Sequence, residues 1–134
     1  TSREPALLNH YLRYPKPNSS GWLLEKEGRV RGFALLWTLS KPNLRVGRIV
    51  ECFLDSDAPG LWQSAIACLA GRLADKQSDV ISCYGSTPWL AAGLRGNGFF
   101  RRGRTTFYLR DPNHRVPLGA PIHMTHLEAD LAYL

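Results

Sequence analysis

The sequence predicts an α/β (α+β) domain: a mixed, mostly antiparallel sheet of about six strands with helices on both faces. Three observations carry that expectation. β-Prone segments of strand length crowd the stretch before residue 55 and recur near the carboxyl end. Between these groups Trp62, Ala65, Ile66, Leu69 and Leu73 return at intervals of three and four, the spacing of one buried helix face. A short apolar run, Val80 to Tyr84, comes next, so strand, helix and strand succeed one another in the order of a right-handed parallel crossover.

Taken in order, Pro5 to Leu12 has Leu8, Tyr11 and Leu12 on one helical face and is stopped by Tyr14-Pro15-Lys16-Pro17, where two prolines forbid continuation. Trp22 to Glu25 and Val30 to Leu39 are rich in strand formers and are joined by Glu27-Gly28-Arg29, a connection of hairpin length. Lys41-Pro42-Asn43 supplies another turn before a third strand, Arg45 to Leu54. Strict alternation there sends Val46, Arg48, Val50 and Cys52 to one face and Arg45, Gly47, Ile49, Glu51 and Phe53 to the other. After the polar break Asp55 to Gly60, the central helix runs to near Lys76 with Arg72, Asp75 and Lys76 on its wet side. Thr87-Pro88 reads as an N-cap with proline in the first turn of a short helix, ended by Gly96 and Gly98, with Trp89, Leu90 and Leu94 toward the sheet. Arg104 to Arg110 and Ile122 to Leu127 are expected to close the sheet as an antiparallel pair.

Composition narrows the function classes. With 134 residues, 44% hydrophobic and 21% charged, residues 1–134 suit one globular domain with one core. The chain begins at Thr1 without a Met, so a longer parent chain, with a partner domain amino-terminal to Thr1, stays open, as does a homo-oligomer. No apolar run approaches the ~20 residues of a membrane span. Three cysteines, Cys52, Cys68 and Cys83, show no CxxC pair, so reduced thiols and a cytoplasmic setting are expected rather than a disulfide framework. The net charge of +6 points to an anionic partner of some kind. Its densest part, Arg101-Arg-Gly-Arg104 beside Phe99 and Phe100, suits a cofactor phosphate, a nucleic acid, an acidic protein or plain solvation. No RRM, KH, zinc-finger or helix-turn-helix pattern strengthens the nucleic-acid choice.

The element order from Gly21 onward resembles that of the GNAT (Gcn5-related N-acetyltransferase) superfamily. Trp89-Leu-Ala-Ala-Gly-Leu-Arg-Gly-Asn-Gly98-Phe99 is similar to the short helix and Gly-Phe ending of many members, and Glu4-Pro5-Ala-Leu-Leu to the entry segment of some. The resemblance implies an acyl-CoA-dependent N-acyltransferase that moves an acyl group, acetyl from acetyl-CoA, to an amine acceptor by direct attack. It places the pantetheine arm along Cys52, Phe53 and Leu54, where two parallel strands splay, and the pyrophosphate at Gly60, Leu61 and Trp62, where a helix start offers N–H donors. The loop Asp55-Ser-Asp-Ala-Pro-Gly60-Leu61 keeps only Gly60 of the family's glycine pair, and Pro59 has no N–H. A capped loop that merely starts a helix is the plain alternative.

Direct attack needs a group that accepts the amine proton, and Glu51, on the third strand, holds the place where members carry such a glutamate. Pairing with Arg48, Arg45 or Arg31 is the competing expectation. For a proton donor the family uses a Tyr where this chain has Leu94; Tyr84 and Tyr108 are the substitutes, against the plainer reading of each as a buried, hydrogen-bonded core tyrosine. His123-Met-Thr-His126, with Glu128 and Asp130 following, has metal-ligand residue types without an established spacing, so no metal site is assigned. The alternatives to an enzyme are a catalytically degenerate domain of the same shape that binds a ligand or partner chain and, further off, a nucleic-acid binder using Arg101 to Arg104.

Overall fold

The computed structural model describes residues 5–13, 18–104, 110–117 and 119–126. Helix α1 spans Pro5–Leu12, and strands β1 (Asn18–Lys26), β2 (Arg29–Lys41) and β3 (Leu44–Leu54) follow as an antiparallel meander. Helix α2 (Pro59–Asp75) crosses over to β4 (Val80–Cys83), which runs parallel to β3, and α3 (Pro88–Gly96) comes after it. The sheet order is β1-β2-β3-β4.

Local chemistry accounts for the elements. Glu27 and Gly28 turn the first hairpin with φ of 52° and 72°, the left-handed pair that matches the twist of two strands. On α2 the buried residues are Trp62, Ala65, Ile66, Leu69 and Leu73, the five whose spacing predicts the helix. They pack on Ala34, Leu36, Ile49, Cys52 and Leu54 of the sheet, and Leu90 of α3 completes this layer. The opposite layer is thinner: Leu35, Trp37 and Val50, packed against by Leu8 and Leu12 of α1. Helices therefore cover both faces, as expected.

Gly93 lets α3 lie close on α2, since a Cβ there would stand 3.1 Å from the carbonyl carbon of Trp62. Gly32 is tighter: its Cβ would meet the Phe53 carbonyl oxygen at 1.9 Å, so β2 and β3 approach at a point where only glycine fits.

Three expectations need revision. Strict alternation along β3 fails, because Leu35 pairs with Glu51 while the next residue, Leu36, pairs with Ile49. Val50 is thus an extra residue, a β-bulge, and it resets which side chains face α2. Ile49 and Cys52 share the α2 layer, whereas Val50 lies in the other. At the start of α3, Thr87 does hold the N-cap position, yet its hydroxyl makes no cap bond and is buried without a partner among the described residues. The sheet has four strands among the described residues rather than about six. Residues 105–109 of the expected fifth strand, with Tyr108, lie outside the described residues, as do Leu127, Glu128, Asp130, Tyr14 to Pro17 and the Tyr11 side chain. Ile122 to His126 carries no strand ladder.

Candidate active site

The β3–β4 ladder stops at Ile49 and Cys83, although β3 continues to Leu54. Beyond that point the two parallel strands splay. The bulge at Val50 lies at the start of the splay and decides where Glu51 goes. Residues directly opposite in an antiparallel pair share a face, so Glu51 lies with its partner Leu35 on the side away from α2.

Glu51 is fully buried, 0% exposed. Its Oε1 accepts the backbone N–H of Cys52 at 2.9 Å and lies 3.0 Å from Nε2 of His123, and its Oε2 accepts the hydroxyl of Thr125 at 3.2 Å. A buried carboxylate needs such company, since burying it bare would cost several kcal/mol. Two of the three arginines expected beside Glu51 pair elsewhere. Arg31 holds Asp55 through Nε at 2.8 Å and 3.1 Å, and Arg45 reaches Gln77 and the Lys76 carbonyl.

His123 and Thr125 come from a strap that bridges the splay. Just past β4, the Ser86 hydroxyl bonds the Ile122 carbonyl and accepts the Met124 N–H at 2.8 Å, so the strap is tied to the β4 side by Ser86 and to β3 by Glu51. The His123 ring stands edge-on to Phe53 and tilted against Trp62, each with centroids 6.2 Å apart. Trp62 is itself pinned by its indole N–H to the Ser56 carbonyl at 2.7 Å.

Tyr84 borders the same splay, half-buried, with its ring 5.5 Å from that of His126. His126 is buried, and neither ring nitrogen has a hydrogen-bond partner among the described residues. Burial, aided by the positive charge of Arg48, lowers its pKa to about 4 and keeps it neutral. The two thiols nearby are inert for a similar reason. Burial first and the Glu51 carboxylate second push Cys52 up to about 12, and Cys83 is raised by burial, then by Cys52 and Glu51.

The expected cofactor residues fall along one path. Cys52 and Leu54 are buried, Phe53 is 41% exposed, Leu61 is half-buried, and Trp62 lies in the core. The Cys52 N–H is taken by Glu51, which leaves Phe53 and Leu54 as the residues of that group past the end of the ladder. At the start of α2 the N–H groups of Leu61 and Trp62 both turn back to the Ala58 carbonyl, and Pro59 has none. Gly60 keeps its N–H, and nothing lies within 4 Å of where its Cβ would be. Ser56, which sequence reasoning passed over, caps the loop by accepting the Ala58 N–H at 3.1 Å. Asp55 is drawn away from the loop by Arg31.

The remaining features stand apart. His123 turns to Glu51 and His126 to Tyr84, and no group of three or more His, Cys, Asp or Glu among the described residues could hold a metal ion. Arg101, Arg102 and Arg104 are exposed, next to Phe100 at 83% exposure. A surface hollow lined by Thr38, Arg45, Lys76 and Gln77 opens at the start of β3, ~20 Å of strand from Glu51. No described helix is long and apolar enough to cross a membrane.

Comparison with solved structures places this geometry in a known fold. The chain is similar to the ribosomal-protein-alanine N-acetyltransferase of Brucella melitensis biovar Abortus 2308, with a TM-score of 0.57, 17% identity, and coverage of 81% of this chain and 83% of that one. It is similar at TM-score 0.54 and 15% identity to TTHA1254 of Thermus thermophilus, over 82% of this chain and 81% of that one. A third structure, titled "a probable acetyltransferase", matches at TM-score 0.54 and 15% identity over 79% and 76%. No family model and no curated protein matches the chain. The protein has a GNAT-like fold.

Proposed function

We propose that this chain is an acyl-CoA-dependent N-acyltransferase, moving an acyl group, acetyl in the simplest case, from CoA to an amine. The observation that carries the reading is the buried Glu51 carboxylate, hydrogen-bonded to the partly exposed His123 at the point where β3 outruns β4. A thioester needs no covalent help from the protein to meet an amine. It needs alignment and a proton acceptor, and both can be supplied by a rigid sheet edge with a fixed carboxylate–histidine pair. The thioester arm would lie along Phe53 and Leu54, and the pyrophosphate would meet the open Gly60 turn at the start of α2. Tyr84 is the candidate donor to the departing thiolate. With Cys52 and Cys83 held as thiols, direct attack by the amine is favoured over an acyl-cysteine intermediate.

One observation favours a second reading, a binding domain of the same shape without turnover. Of the first N–H groups on α2, two are already spent on Ala58 and Pro59 lacks one, so a pyrophosphate has few donors there. Thermal unfolding with acetyl-CoA, free CoA and ATP separates the readings. A ligand at 100 times its Kd adds about 2.7 kcal/mol, which for a domain of this size raises Tm by roughly 5 to 15 °C. A rise with both CoA species and none with ATP is expected. No shift at millimolar acetyl-CoA would leave the binding-domain reading.

A further inference from the structure

We propose, on the footing of the acyltransferase reading, that His123 is the group that takes the proton from the acceptor amine, and that Glu51 acts only through it. Reach decides the division. Glu51 is 0% exposed, and both its oxygens face protein donors, so no substrate atom meets it without displacing the strap. The His123 side chain is 17% exposed and is the member of the pair that touches the outside.

The direction of the hydrogen bond follows from the chemistry of the acceptor. Glu51 accepts a backbone N–H on one oxygen and a hydroxyl on the other, and an ionised carboxylate is acceptor-only, so the proton between it and His123 belongs to Nε2. Nδ1 is then the bare nitrogen, with a lone pair available to the amine. As the amine nitrogen forms the new C–N bond, its proton passes to Nδ1. The C–S bond breaks, and the sulfur leaves as thiolate and regains a proton to become the CoA thiol. Glu51 stabilises the imidazolium in between without being protonated itself. Phe53 and Trp62 hold the ring at this angle, and Ser86 fixes the strap that delivers it. The other histidine of the strap, His126, is buried beside Tyr84.

Long-range 1H–15N spectra of the full chain with 15N-labelled histidine test this without an acceptor in hand. The expected result is a His123 ring with its proton on Nε2, and a mixture of both tautomers in Glu51→Gln, because a carboxamide both donates and accepts. A proton on Nδ1 in the unsubstituted chain overturns the proposal. Release of CoA from acetyl-CoA in the presence of a panel of primary amines gives the second readout. His123→Ala should lose about 10²–10⁴-fold in rate, with partial recovery on adding imidazole, and Thr125→Val should lose less. Full activity in His123→Ala removes His123 from the mechanism while the acyltransferase reading stands. If acetyl-CoA shifts no histidine resonance and no amine is acylated, that reading fails, and the catalytic role of His123 falls with it.

Discussion

The two halves of β3 make an instructive pair. From Val46 to Ile49 the strand is hydrogen-bonded on both sides, to β2 and to β4. From Glu51 to Leu54 it keeps β2 and has no β4 partner. The closed half seats Ile49 in the α2 layer and brings Gly47 close against Leu73. The open half carries the buried carboxylate, and a sequence-distant strap satisfies that carboxylate with side chains. A sheet can therefore keep a charged group in its interior where its own ladder has ended, provided another segment brings the missing donors.

The sharpest way to break the comparison is to remove the bulge. Deleting Val50 restores strict alternation, and residues on one side of the deletion must then change faces. If Glu51 turns toward Ile66 and Leu69, an unpaired buried carboxylate costs about 3–5 kcal/mol. Urea denaturation is expected to show a loss of that size or a chain that no longer folds. A loss under ~1 kcal/mol would mean that the bulge does not set the position of Glu51.

A second experiment sharpens the role of the strap. His126 is neutral in the folded chain with a pKa of about 4, against 6.5 for an ordinary histidine. The unfolded chain therefore binds more protons between these values, and stability falls as pH drops from 6.5 toward 4. The size is about 1–3 kcal/mol. In His126→Phe this part of the pH dependence should disappear, and denaturation midpoints at pH 7 and pH 5 measure it. Equal slopes in both proteins would show that His126 stays uncharged in the unfolded chain too, or is solvated in the folded one.

The smallest effect is expected at the rim of the open half. Asp55 and Arg31 form a half-exposed ion pair, worth about 0.2–1 kcal/mol. Asp55→Asn should cost no more than that in stability, and 0.5 M salt should cost the unsubstituted chain about as much. If acetyl-CoA binds, Asp55→Asn should leave its affinity within about twofold, because Arg31 already draws that carboxylate off the loop; a large gain in affinity would mean the opposite.

The sequence by itself determined the element order through α3 and the buried face of α2, because both are written in short-range signals: spacings of three and four, turn residues, prolines. Through the family resemblance it also offered Glu51 as a base and Tyr84 as a donor, and both lie where the β3–β4 ladder ends. What it missed has a common physical cause. One inserted residue, Val50, exchanges the faces of a strand, and no local signal distinguishes it from its neighbours. Ser56 in place of the aspartates as cap, and Asp55 as the partner of Arg31, depend on which way loop backbones turn. His123 is the clearest case. It lies 72 residues from Glu51 in sequence, within a segment readable as a hairpin or surface pair. Only the tertiary structure decided that it meets a buried carboxylate, since that contact exists solely because the strap returns across the splay of β3 and β4.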